Sequence, residues 1–139
     1  MKTAVIYWSG TGNTQAMAQA VLEGMQSKGA DAVMLTPDQV NAADVASFDA
    51  IAMGCPAMGA EVLEEGEFQP MYDDIKSSLA GKKVALFGSY GWGDGEWMRS
   101  WEEDCASNGI SLAVDSVTAN DAPDGDALEA CKALGAALA

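Results

Sequence analysis

Histidine is absent from the 139 residues, and bases of any kind are few: seven Lys and Arg stand against 21 Asp and Glu, a net charge of −14. Without imidazole there is no His-based triad, no His general acid or base, and no zinc or haem site that depends on one. The charge excludes nucleic-acid backbones and anionic membrane surfaces as natural partners, because both would repel the chain. A basic protein partner stays open, and so does an acidity that serves only solubility. Cysteine is scarce as well. Cys55, Cys105 and Cys131 are odd in number and lack C-x-x-C spacing, so they read as small buried apolar residues in a reducing compartment, with no metal or cluster site expected. Long apolar runs are also missing. The stretch from Ala4 to Trp8 is too short for a signal peptide, and no window approaches the roughly 18 apolar residues of a membrane span. A cytoplasmic protein is expected.

The length suits one ordinary domain with its own core, and the sequence shows no linker, repeat or low-complexity tract. The charge is lopsided along it. Residues 1–60 hold five acids and two lysines, whereas residues 61–139 hold 16 acids and five bases, clustered at 61–74, 94–104 and 115–129. One side of the molecule is expected to have an electrostatic role.

Five short apolar runs recur, at 4–8, 32–35, 50–53, 84–87 and 110–114. They are continuous rather than alternating, which is how strands covered on both faces read. Between them lie residues at helical spacing: Met17, Val21 and Met25; Met71, Ile75 and Leu79; Trp97, Trp101 and Cys105; Leu128, Cys131 and Leu138. A shorter helix is expected at 41–47. Gly29, Gly81 and Gly109 close helical stretches just before strands, as left-handed caps do. Strand and helix thus alternate five times. Right-handed crossovers then predict an α/β fold, a three-layer, doubly wound, five-stranded parallel sheet, with ligands outside the carboxyl ends of the strands.

The loops at those ends are unusual. Ser9-Gly10-Thr11-Gly12-Asn13-Thr14 opens the first helix with two glycines and four polar side chains. Free N–H groups and the helix dipole at such a start favour an anion. A nucleoside-triphosphate loop would need Lys where Asn13 stands, and a dinucleotide fingerprint would need Gly at Gln15. A receiver domain would need a carboxylate near Gly54-Cys55, and a Cys-x5-Arg phosphatase would need Arg at Glu61 or Ser111. A monophosphate site without a cation remains, beside the blander reading of a polar turn with a helix cap. In Gly88-Ser89-Tyr90-Gly91-Trp92-Gly93-Asp94-Gly95, glycines admit a ligand close to the backbone and the aromatics can lie on a planar group. Trp92, flanked by glycines, reads as a stacking residue; Trp97 and Trp101, at helical spacing, read as core.

These loops, with Cys55-Pro56-Ala57-Met58-Gly59, resemble those of the flavodoxins, of the short-chain clostridial type, and the resemblance runs the full chain. It implies a flavodoxin-like fold with strand order 2-1-3-4-5 and FMN at the switch point, flavodoxin being the type example of that order. It implies that residues 1–139 are a single FMN-binding domain. Ser9, Thr11, Asn13 and Thr14 would hold the phosphate, with Gly10 and Gly12 shaping the loop. Trp92 and Met58 would cover the two faces of the ring, with Pro56, Ala57, Gly59 and Gly93 in the flavin loops. Glu61 would meet the ring N3–H, Ser89, Tyr90 and Gly91 the pyrimidine edge, and Asn120 would lie near the flavin. Ala60 replaces a polar residue that some relatives carry.

The resemblance further implies a low-potential one-electron carrier with non-covalent FMN, shuttling between semiquinone and hydroquinone to serve redox proteins. Basic-surfaced reductases and acceptors would dock at the acidic flavin edge of a monomer. No side chain is placed for acid–base work on a substrate, so a carrier rather than an enzyme is expected. The alternatives are an FMN-dependent NAD(P)H or quinone reductase, and a flavodoxin-like activator of a single partner enzyme.

Overall fold

A computed structural model describes residues 2–58, 62–91 and 93–139. Five parallel strands, β1 (Lys2–Tyr7), β2 (Asp31–Leu35), β3 (Ala50–Gly54), β4 (Lys83–Tyr90) and β5 (Val117–Asn120), lie in the order β2-β1-β3-β4-β5. The helices are α1 (Asn13–Ser27), α2 (Ala42–Val45), α3 (Phe68–Ile75), α4 (Glu96–Ser107) and α5 (Gly125–Leu138). The expected alternation and order are both present, and Gly29, Gly81 and Gly109 all take positive φ.

The strands are apolar throughout because successive residues face two different cores. Ala4, Ile6, Ile51, Met53, Val84 and Leu86 point to α2, α3 and α4, where Phe68, Tyr72, Trp97 and Trp101 fill the space. Val5, Ala50, Ala52, Ala85, Phe87 and Ala119 point to α1 and α5. That second face is built mostly of alanine, which brings its two helices close to the sheet and to each other.

One strand differs from expectation. The apolar run 110–114 makes only an isolated bridge, Leu112 to Val84, while β5 pairs Val117–Asn120 with Phe87–Tyr90. The long β4 offers partners along eight residues; after the Ala113 N–H bond to Val84 O at 2.8 Å, the chain leaves the ladder and rejoins it at Val117. Local hydrophobicity marked the first contact; ladder geometry decides the second.

The approach to α3 is fixed by a side chain outside the helix. Glu64 accepts from the N–H groups of Gly66, Glu67 and Phe68, each at 2.7 Å, while the N-cap residue Glu67 contributes no side-chain bond. Burial works against the Glu64 charge, but the three N–H bonds outweigh it and hold the carboxyl below its ordinary range. A folded value below the unfolded one gives stability that is full above the unfolded pKa and lost as pH falls through the folded one. Glu64→Ala should therefore cost about 1–2 kcal/mol at neutral pH. The gap between variant and parent in urea denaturation should narrow as pH falls below the ordinary glutamate range of about 4.3 and through the lower folded value.

Candidate functional site

The carboxyl ends of β1, β3 and β4 open onto a cleft of about 210 Å³ lined by Trp8, Gly10, Thr11, Asn13, Pro56, Ala57, Met58, Ser89, Tyr90, Gly91 and Asp121. Two glycines bring these ends together. A Cβ on Gly88 would sit 2.2 Å from the Cys55 carbonyl oxygen, and one on Gly54 would sit 2.2 Å from the Phe87 ring. The strands can thus run side by side past their ladder: Ala57 N–H donates to Ser89 O at 3.0 Å, and the Trp97 indole donates to Cys55 O at 3.0 Å. Met58 and Val62 exchange two backbone bonds of 2.9 and 3.0 Å.

Helix α1 begins at the cleft floor. Its N-cap, Gly12, has φ 95°, no side chain caps the first-turn N–H groups, and no acid stands in that turn. The Ser9 hydroxyl instead accepts from Gly12 N–H at 3.0 Å, which folds the loop back on itself. Thr14 is buried, and its hydroxyl lies 2.9 Å from that of Ser89, tying the phosphate-type loop to the end of β4. No Lys or Arg is among the lining residues.

Of the residues singled out in the sequence, Gly10, Thr11, Asn13, Pro56, Ala57, Met58, Ser89, Tyr90 and Gly91 meet in this cleft. Ser9, Gly12 and Thr14 support it from the loop behind. Gly93 takes φ 83° in the turn before α4. Asn120 ends β5 and lines a different cavity with Thr118 and Ala127. Gly59, Ala60, Glu61 and Trp92 lie outside the described residues.

Two lining residues escaped the sequence reading. Trp8 continues the apolar run of β1 in the sequence, yet it sits half-buried past the end of that strand, with its ring 3.1 Å from where a Gly10 Cβ would be. Asp121 follows β5 at φ 57°, the one described non-glycine residue with positive φ, and its N–H donates to Tyr90 O at 2.7 Å. Aspartate tolerates that conformation better than most residues, so an Asn-Asp pair ending a strand was the available signal. Cys55, beside the cleft, is buried; burial pushes its thiol up to about 12, despite the Glu64 N–H bond to its sulfur, so it carries no thiolate at neutral pH.

The family model described as flavodoxin matches residues 5–135. The chain belongs to the flavodoxin family. It is 46% identical to the flavodoxin of Megasphaera elsdenii over 97% of this chain and 96% of that one. Identity to the flavodoxin of Clostridium beijerinckii is 42%, over 97% of each. The solution structure of two-electron reduced Megasphaera elsdenii flavodoxin superposes with a TM-score of 0.89 over 98% of this chain and 97% of that one, at 43% identity. A flavodoxin from the domain Archaea gives 0.86 at 30% identity, over 99% and 96%. Members of this family bind FMN and carry electrons.

The residues present fit that cofactor. The uncapped α1 start offers N–H groups to a phosphate, and Trp8, Pro56, Ala57, Met58 and Tyr90 give an apolar wall beside the polar Ser89 and Asn13. Among the described residues, no helix is long and apolar enough to cross a membrane.

Proposed function

We propose that the chain, acting as one domain and as a cytoplasmic monomer, passes single electrons at low potential between redox proteins, on FMN held non-covalently in this cleft. It turns over no substrate of its own. The observation that carries this reading is the uncapped, acid-free start of α1 opening onto a largely apolar cleft wall without a cation. When bound, FMN supplies the one-electron chemistry.

The protein's own residues bind and tune it. Ser9, Thr11, Asn13 and Thr14 with the α1 amides take the phosphate. Gly10, Gly12, Gly91 and Gly93 keep the backbone close. Met58, with Trp92 and Glu61 assigned from sequence, and Ser89 and Tyr90 hold the ring; Pro56, Ala57 and Gly59 shape the loop around it, and Asn120 lies further out. An apolar wall disfavours added negative charge there, and Asp121 opposes it electrostatically.

The same charge pattern selects partners. Four of the seven bases, Lys2, Lys28, Lys82 and Lys83, sit at the amino-end side of the sheet, at or beside the starts of β1, β2 and β4. Lys76, Arg99 and Lys132 are paired with carboxylates. The cleft end is left acidic and suits basic-surfaced reductases and acceptors. The purified protein should show a flavin visible spectrum, stay oxidised with NADPH alone, and be reduced by a basic-surfaced reductase at a rate that falls as salt rises. A colourless protein, or steady oxidation of NADPH without a partner, overturns the reading.

A further inference from the structure

A second cavity, also about 210 Å³, opens on the α3–α4 face, with Val62, Tyr72, Trp97, Ser100, Trp101 and Asp104 in its lining. Two ring contacts, joined by one turn of α4, lead from it toward the cleft. Tyr90, in the cleft wall, has its ring centroid 5.4 Å from that of Trp97. Trp101 follows one turn later on the inner face of α4, where side chains four apart are neighbours. The Trp101 and Tyr72 ring centroids are 6.1 Å apart, edge to face. Trp97, Trp101 and Tyr72 are each at most 2% exposed. The Tyr72 hydroxyl donates to Asp104 at 2.7 Å, and the Asp104 side chain is 43% exposed.

The proton partners of these rings differ, and that difference gives the row a direction. The Trp97 N–H donates to the Cys55 carbonyl, which is too weak a base to take the proton. The Trp101 N–H is buried and has no partner among the described residues. Among the described residues neither indole N–H meets a base, so an indole that loses an electron there has no described base to take its proton and remains a strong oxidant of its neighbour. Tyr72 alone among the buried three has a carboxylate to receive its proton.

We propose that Trp97, Trp101 and Tyr72, with Tyr90 as the bridge to the cleft, form a relay that discharges one-electron oxidants from the cofactor cleft into the second cavity. A radical oxidant in the cleft takes one electron from Trp97 across the Tyr90 ring. Trp101 refills Trp97, and Tyr72 refills Trp101. As Tyr72 gives up its electron, its O–H bond breaks and the proton passes to Asp104, which leaves a neutral tyrosyl radical beside a protonated carboxyl. A thiolate-class reductant entering the cavity returns one electron, Asp104 returns the proton, and a thiyl radical departs. Burial, with the bonds to Cys105 and Asp104, raises the phenol's own pKa, so Tyr72 rests protonated until it is oxidised.

The test is pulse radiolysis of the FMN-loaded protein with azide radical, which oxidises tryptophan first, followed by transient absorption and rapid-freeze electron paramagnetic resonance. The indole radical signal should decay as a tyrosyl signal grows. Tyr72→Phe, which keeps the ring, should abolish that growth and prolong the indole radical. Trp101→Phe should do the same with Tyr72 intact. Asp104→Asn, on the surface and still an acceptor but no longer a base, should slow tyrosyl formation. An undiminished tyrosyl signal in Tyr72→Phe would place the radical on Tyr7 or Tyr90 and overturn the proposal. An unchanged rate in Asp104→Asn would overturn the proton step that gives the relay its direction.

Discussion

Gly135→Ala should lose a large share of the protein's stability, while Gly125→Ala in the same helix should lose none. Helix propensity alone predicts the opposite for Gly135, since alanine in a helix interior is favoured over glycine by about 1 kcal/mol. Space decides otherwise. A Cβ on Gly135 would lie 2.0 Å from the Val21 carbonyl oxygen and 3.1 Å from the Met25 nitrogen, and one on Gly24 would lie 2.0 Å from the Lys132 carbonyl oxygen. The α1 and α5 backbones are thus in mutual contact at two points, and backbone cannot rotate away as a side chain can. The helices must separate, which opens the core of Met17, Val21, Met25, Cys131, Leu134 and Leu138 between them. Overpacking costs typically 1–3 kcal/mol; with no flexible neighbour to yield, about 3 kcal/mol or more is expected for Gly135→Ala and likewise for Gly24→Ala. Against a total of roughly 5–15 kcal/mol, that is a large share. Gly125 opens α5, and nothing lies within 4 Å of its would-be Cβ. Paired urea denaturation of the two alanine variants checks this. Equal midpoints would mean that the helices part at little cost.

Those glycines show where the sequence stops being legible. Gly29, Gly81 and Gly109 announce themselves because they sit between a helical and a strand pattern, and all three take positive φ. Gly24 and Gly135 lie inside helical periodicity, where nothing local distinguishes a tolerated glycine from one pressed against another backbone. The same limit explains β5. Ile110–Val114 is the more apolar run, yet Val117–Asn120 is the strand, because pairing with Phe87–Tyr90 depends on what β4 offers across the ladder. The cleft was legible through its loops, since glycine and polar side chains at strand ends are unusual wherever they occur. Trp8 and Asp121 were not. An aromatic continuing a strand looks like core, and the φ of Asp121 is set by its bond to Tyr90 across a gap in sequence. The Glu64 cap was hidden for a related reason: it acts three and four residues away, on a helix whose own N-cap residue contributes no side-chain bond.

Asn13→Asp should make the protein more stable without FMN and much weaker at binding it. Asn13 is the first residue of α1, in a first turn with no acid and no side-chain cap. A carboxylate there faces the positive end of the helix dipole and should add about 0.3–1 kcal/mol to the stability of the cofactor-free protein. The same N–H groups and dipole are what the proposed phosphate site uses, and Asn13 lines the cleft. The new charge would both occupy the donors and repel the ligand's phosphate. Near a protein surface, two like unit charges repel by about 4 kcal/mol at a separation of 4 Å. Half of that weakens binding by roughly thirtyfold. No Lys or Arg in the cleft wall is available to soften the repulsion, so added salt should restore part of the affinity. Wild-type asparagine is already the neutral isostere, which isolates charge from shape. Urea denaturation with no FMN added and fluorescence titration with FMN give the two readouts. Their opposite signs matter, because a merely damaged loop would lower both. Higher stability with unchanged FMN affinity would show that the phosphate is held somewhere other than the start of α1.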